Sequence, residues 1–145
     1  MTHLNGIIGE ERVNEWITGG INEQAITYAE SFGIELVHPT VLKKDGSTYI
    51  DKNGGLTTTQ IRNFFGEVQR IKMKGYEESQ FVLLKPKLAY AVKRNETAGA
   101  KDFKLVFEAA INAVIHSENK NKSFNNFADF FEAVLAYHKA YGGKS

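Results

Sequence analysis

The sequence predicts an all-α protein, a compact helical bundle of about five helices with an irregular N-terminal portion. Three observations lead to that class. Apolar residues recur at helical spacing through residues 56–141. Capping residues and glycines punctuate those stretches at their ends. Eight of the 13 glycines fall in residues 1–55, which predicts short elements and turns there and longer elements afterwards. At 145 residues the chain has the size of one ordinary domain. It is read as 1–145, with a variable, glycine-rich and acidic part over 1–55 and a helical core over 56–145. A chain of this length buries enough surface to fold without cross-links.

In the N-terminal third, Glu10–Thr18 reads as a short helix and Asn22–Phe32 as a longer one ended by Gly33. Lys44-Asp45-Gly46-Ser47 is a turn signal flanked by β-branched and aromatic residues, so Val37–Ile50 reads as a small hairpin or an ordered loop. The core then opens on Ile61, Phe64, Phe65, Val68 and Ile71, one apolar stripe of a helix. Thr57 with Gln60 three residues on predicts a capping box, and Gly75 the stop. A second core helix is expected over about Phe81–Arg94. Pro86 within it must mark the first turn or bend the helix, because it has no N–H to donate. A third runs from near Ala100 to Ser117, with Phe103, Val106, Phe107, Ala110, Ile111 and Val114 on its apolar face. The fourth begins at Ser123, read as its N-cap, and ends at Tyr141 before Gly142-Gly143. Its stripe is Phe127, Phe130, Phe131, Val134, Leu135 and His138.

The absence of cysteine excludes disulfides, zinc–thiolate sites, iron–sulfur clusters and cysteine nucleophiles. No basic segment followed by an apolar run opens the chain, and no apolar stretch nears the roughly 20 residues of a membrane span. A cytoplasmic protein with no membrane partner is therefore expected. His3, His38, His116 and His138 share no metal-ligand spacing, and phosphate-loop, dinucleotide and nucleophile-elbow motifs are missing. Neither metal nor other cofactor is expected, and nothing points to an enzyme. His138 reads as a core histidine hydrogen-bonded to a neighbour.

Charge is informative only when divided. The totals, 18 Lys+Arg against 17 Asp+Glu, give +1, far from the basic balance of a typical nucleic-acid-binding domain. Residues 1–59 hold four bases against eight acids, residues 60–104 ten against five, and residues 105–145 four of each. An acidic third thus masks a basic middle. In that middle Lys87, Tyr90 and Arg94 project from one face of a helix. Arg62, Gly66, Gln69 and Met73 share one side of the preceding helix, with Arg70 beside them. Two such edges side by side make a groove in which cations meet phosphates and Tyr90 meets a ribose or base. The competing reading is two ordinary solvated faces. Gly66 also reads as a notch for another helix.

Three segments carry a family resemblance. Leu56-Thr57-Thr58-Thr59-Gln60-Ile61-Arg62-Asn63-Phe64-Phe65, Leu83-Leu84-Lys85-Pro86-Lys87-Leu88-Ala89-Tyr90-Ala91 and the run from Phe127 to Lys139 resemble, in order and spacing, signature blocks of one family. That family is the small subunit of type III-A (Csm) CRISPR effector complexes. The blocks span residues 56–143; Val92-Lys93 departs from the usual small residue and glycine, and residues 1–55 resemble nothing in it. The resemblance implies an all-α, non-catalytic subunit that contacts the backbones of guide RNA and target RNA. It also implies contacts with other copies of itself and with the backbone and large subunits of the complex. Carried over, the implied RNA contacts are Arg62, Lys85, Lys87, Arg94 and Lys139, to which the charge pattern adds Arg70. Tyr90, Tyr137 and His138 are signature positions that read equally as packing residues. Such a subunit should bind weakly alone and collectively in an array. The alternative is a helical protein–protein interaction module that does not contact RNA.

Overall fold

The computed structural model describes residues 10–142. Residues 1–9 of the expected irregular portion, and Gly143 of the terminal glycine pair, lie outside the described residues. In chain order the elements are α1 (Glu10–Gly19), α2 (Glu23–Val37), β1 (Thr40–Leu42), β2 (Thr48–Ile50), α3 (Thr58–Lys74), α4 (Glu78–Val82), α5 (Leu84–Arg94), α6 (Ala98–Ile115) and α7 (Lys120–Ala140). With α4 and α5 counted as one helix broken at Leu83, the described residues hold six helices where about five were expected. The expected all-α class is also corrected, because β1 and β2 form a two-stranded antiparallel sheet in which Val41 opposes Tyr49. Its turn is held by Asp45, whose Oδ1 accepts from the Ser47 N–H at 2.9 Å. Two helices fill residues 10–37, so the irregular part of the described N-terminal third shrinks to the connections around this hairpin.

Several helix ends follow the expected chemistry. The Thr57 hydroxyl accepts from the Gln60 N–H, the Gln60 side chain accepts from the Thr57 N–H, and Gly75 ends α3 at φ 95°. Pro86 is the third residue of α5, where an N–H would have no partner inside α5. Its missing hydrogen bond would have reached the Val82 carbonyl, so α4 and α5 part at Leu83, which keeps helical dihedrals (φ −66°, ψ −15°).

Three expected boundaries are corrected. Gly33 does not end α2, which runs on to Val37. Ser123 is not the cap of the last helix but a buried residue in its first turns. The cap is Asn119, whose side chain accepts from Lys122 N–H at 3.1 Å. The third core helix starts two residues earlier than expected, capped by Thr97 through the Ala100 N–H.

The long helix α7 packs against α1, α2, α3 and α6, while α6 packs against α1, α2, α5 and α7. Nine of the ten phenylalanines are buried, and their rings form one continuous cluster with Trp16, Tyr28 and Tyr76. Every residue of the expected α6 and α7 stripes is buried, as are Ile61, Phe64, Val68 and Ile71 of α3. Phe65 sits at the margin, edge-on to Phe131 at 5.6 Å. Trp16 of α1 and Phe32 of α2 belong to the same apolar core. No helix of the described residues is long and apolar enough to cross a membrane.

The segment leading from the hairpin into α3 is tied on three sides. Leu56 N–H donates to the Leu36 carbonyl at 2.8 Å, and Gly99 N–H donates to the Gly54 carbonyl at 2.8 Å. His138 Nε2 meets the Leu56 carbonyl at 2.7 Å. Gly99 is required by proximity, since a Cβ there would lie 2.6 Å from the Leu56 nitrogen.

Candidate nucleic-acid interface

Helices α3 and α5 lie side by side and antiparallel, and two side chains bridge them. Gln60 divides its amide between them. Its oxygen completes the α3 cap, while Nε2 donates to the Asn95 carbonyl at 3.2 Å and the Ala91 carbonyl at 3.5 Å, among the last, intrahelically unpaired carbonyls of α5. Seven residues on, Glu67 Oε1 accepts from Lys87 Nζ at 2.7 Å across the helices and from Arg70 Nη2 at 2.6 Å along its own. Those two hydrogen bonds hold the Glu67 carboxyl below the ordinary carboxylate range.

Between the start of α3 and the end of α5 lies a small cleft lined by Thr57, Thr59, Gln60, Asn63, Ala91, Arg94 and Asn95. Neutral donors and acceptors surround a single cation there. Arg94 lies 5.8 Å from the centroid of the ring of Tyr90, a residue that is 67% exposed. A larger hollow between α1 and α6 is lined by Glu11, Asn14, Glu15, Ala109, Asn112, Ala113 and His116. With two carboxylates and no Lys or Arg, it is the wrong sign for phosphate.

The expected basic residues separate into groups. Arg70, Lys87 and Arg94 lie along the α3–α5 seam. Arg62 is on the adjoining outward ridge of α3, where Gly66 and Met73 are also exposed, and among the described residues it forms no ion pair. Lys85 points away from the seam, donating to Asn112 Oδ1 on α6 at 3.0 Å. Lys139 is exposed near the end of α7, one residue past the tie between His138 and Leu56. The notch reading of Gly66 is corrected: a Cβ there would meet nothing within 4 Å. Glu67 and Arg70 are one helical turn apart in the sequence, but nothing local links Glu67 to Lys87, 20 residues away. Gln60 was legible as a cap and not as a clasp between helices.

A family model described as Csm2 Type III-A matches residues 35–144. The chain belongs to the Csm2 family. It is thus a member of the small-subunit family of type III-A CRISPR complexes. No curated relative and no solved structure matches it. The Csm2 match begins near the end of α2 and covers α3, α5 and α7, which carry the three signature blocks. Two of those blocks touch through His138 and Leu56, so the Csm2 pattern in part records a packing contact.

His138 is 0% exposed, and a carbonyl can only accept, so Nε2 carries the proton and the buried Nδ1 has no partner among the described residues. Burial lowers the imidazole pKa below its ordinary 6.5; the Leu56 bond opposes that shift and Lys139 reinforces it. The sign follows. The unfolded chain takes up a proton near pH 6.5 that the native chain resists, so this contribution is complete above that pH and is lost as pH falls below it. Denaturant midpoints measured down to pH 5 should fall, and His138→Gln should flatten the profile. An equally steep decline in the variant would remove His138 as its cause.

Proposed function

We propose that this chain is a single helical domain (1–145) acting as a non-catalytic, cytoplasmic, RNA-contacting small subunit of its complex. In this reading the α3–α5 seam and the Arg62 ridge lie against the backbones of guide and target RNA. Sequence readout is left to base pairing. Other faces meet further copies of the chain and the backbone and large subunits. The observation that carries the reading is the Arg94–Tyr90 pair beside a polar cleft on two helices that bear the family's first two blocks. A guanidinium beside an exposed tyrosine, with amides and hydroxyls around it, suits phosphate and ribose without choosing among bases. Arg62 adds an exposed cation on the adjacent ridge. Lys85 and Lys139 belong to this proposal as more distant contacts, each on its own face.

The full chain, titrated with a labelled single-stranded oligouridylate, should bind weakly and lose affinity steeply with salt. Arg62→Ala with Arg94→Ala should weaken binding about tenfold at low salt and reduce the log–log salt slope by about 1.4, near 0.7 for each phosphate contact on single strands. No loss in either the free chain or the assembled complex would defeat the assignment of these residues. A second reading, an interaction module that never meets RNA, draws on the carboxylate-lined hollow between α1 and α6. It predicts assembly that proceeds unchanged in that double variant, with no RNA bound by the free chain at any salt.

A further inference from the structure

Of the cations along the seam, the two nearest its middle are already engaged by a single carboxylate oxygen. Glu67 Oε1 receives Arg70 at 2.6 Å from one helix and Lys87 at 2.7 Å from the other. All three side chains stay open to water, at 41%, 43% and 34% exposure for Arg70, Lys87 and Glu67. A carboxylate and a phosphodiester each carry one negative charge over two acceptor oxygens, so both satisfy such a paired site in the same way. We infer that Glu67 is an internal phosphate mimic that occupies the Arg70–Lys87 site and must be displaced before RNA can use it.

Exposed ion pairs of this kind are weak, so displacement is feasible once RNA is held nearby. A lone chain offers mainly Arg62 and Arg94. In an array the high effective concentration of phosphate lets RNA take the Glu67 site as well. The carboxylate therefore sets how far the affinity of the free chain falls below that of the assembly. While Glu67 holds Arg70 and Lys87 they neutralise no phosphate, so they add little to the salt dependence of the free wild-type chain.

This inference rests on the proposed RNA-contacting function, and the test separates the two. Full-length wild type and Glu67→Gln, which keeps the side-chain shape and removes the charge, are titrated with the labelled oligouridylate over a range of salt. The variant should bind about threefold to tenfold more tightly at low salt, with a slope steeper by about 1. Adding Arg70→Ala and Lys87→Ala to it should abolish the gain. Unchanged or weaker binding by Glu67→Gln overturns the inference, while a loss from Arg62→Ala with Arg94→Ala still upholds RNA contact. A gain that persists without Arg70 and Lys87 overturns it too, since the effect would then be general charge. If neither wild type nor Glu67→Gln binds, the functional reading falls and takes this one with it.

Discussion

Phe107→Ala is expected to destabilise the chain by about 3–5 kcal/mol, the usual cost of deleting a fully buried phenyl group. For a chain of this size that lowers the melting temperature by about 10–20 °C. The ring is 0% exposed and stands at the meeting point of three helices. Its neighbours are Phe103 at 4.9 Å, Phe131 at 4.8 Å, Phe130 at 5.6 Å, Phe127 at 6.1 Å and Phe32 at 6.4 Å between centroids. Those partners come from α2, α6 and α7, so no single side chain can relax into the space, and the cavity term adds to the lost transfer energy. Phe65→Ala, at the margin of the same cluster, should cost about half as much. Urea unfolding of the two variants decides the matter. A Phe107→Ala loss near 1 kcal/mol would mean that the helices close over the hole and that the core is looser than described.

Gly33→Ala sets two opposed effects against each other. Alanine in a helix interior is favoured over glycine by about 1 kcal/mol. Here, however, a Cβ would lie 2.7 Å from Tyr137 Cβ and 3.0 Å from the His138 nitrogen, where α2 crosses α7. Neither atom belongs to a flexible tip, so the helices must separate, and overpacking of this kind costs about 1–3 kcal/mol. The net loss expected is about 0–2 kcal/mol once the propensity gain is subtracted. Gly66→Ala supplies the contrast. Its position is also inside a helix but faces open space, so only propensity acts and a gain of about 0.5–1 kcal/mol is expected. If both alanines stabilise, the close approach of α2 and α7 is wrong. If both destabilise, Gly66 has a steric role outside the described contacts.

That contrast shows what a sequence alone can and cannot reveal here. The α3 cap, the Gly75 stop and the apolar stripes of α3, α6 and α7 were legible because each depends on residues within one or two turns. Gly33 looked like a stop because glycine serves both as a terminator and as a point of close approach, and only the partner helix distinguishes them. Ser123 looked like a cap for a similar reason, since Asn119 four residues earlier carries equivalent chemistry. At the seam, the basic edges were visible as edges. Their partial neutralisation by Glu67 was not, because one of its two bonds spans separate helices. Lys85 and Lys87 stand two apart in one signature block, yet the first turns to α6 and the second to α3. Spacing of two on a helix separates side chains by more than half a turn of the wheel, so a shared motif did not mean a shared surface.

The central place of α7 also bears on how the chain reaches its native state. Its partners α1 and α2 lie about one hundred residues earlier, as in the bond from Asn126 to the Ile17 carbonyl, a separation of 109. During synthesis those two helices emerge long before the surface that covers Trp16, Phe32 and Leu36 exists. Closing so long a loop must precede the burial of α1 and α2 against α7, which predicts slower folding than helix content alone would suggest. A nascent chain would meanwhile display its acidic first helices with part of their apolar sides uncovered until Phe127, Phe130 and Phe131 arrive.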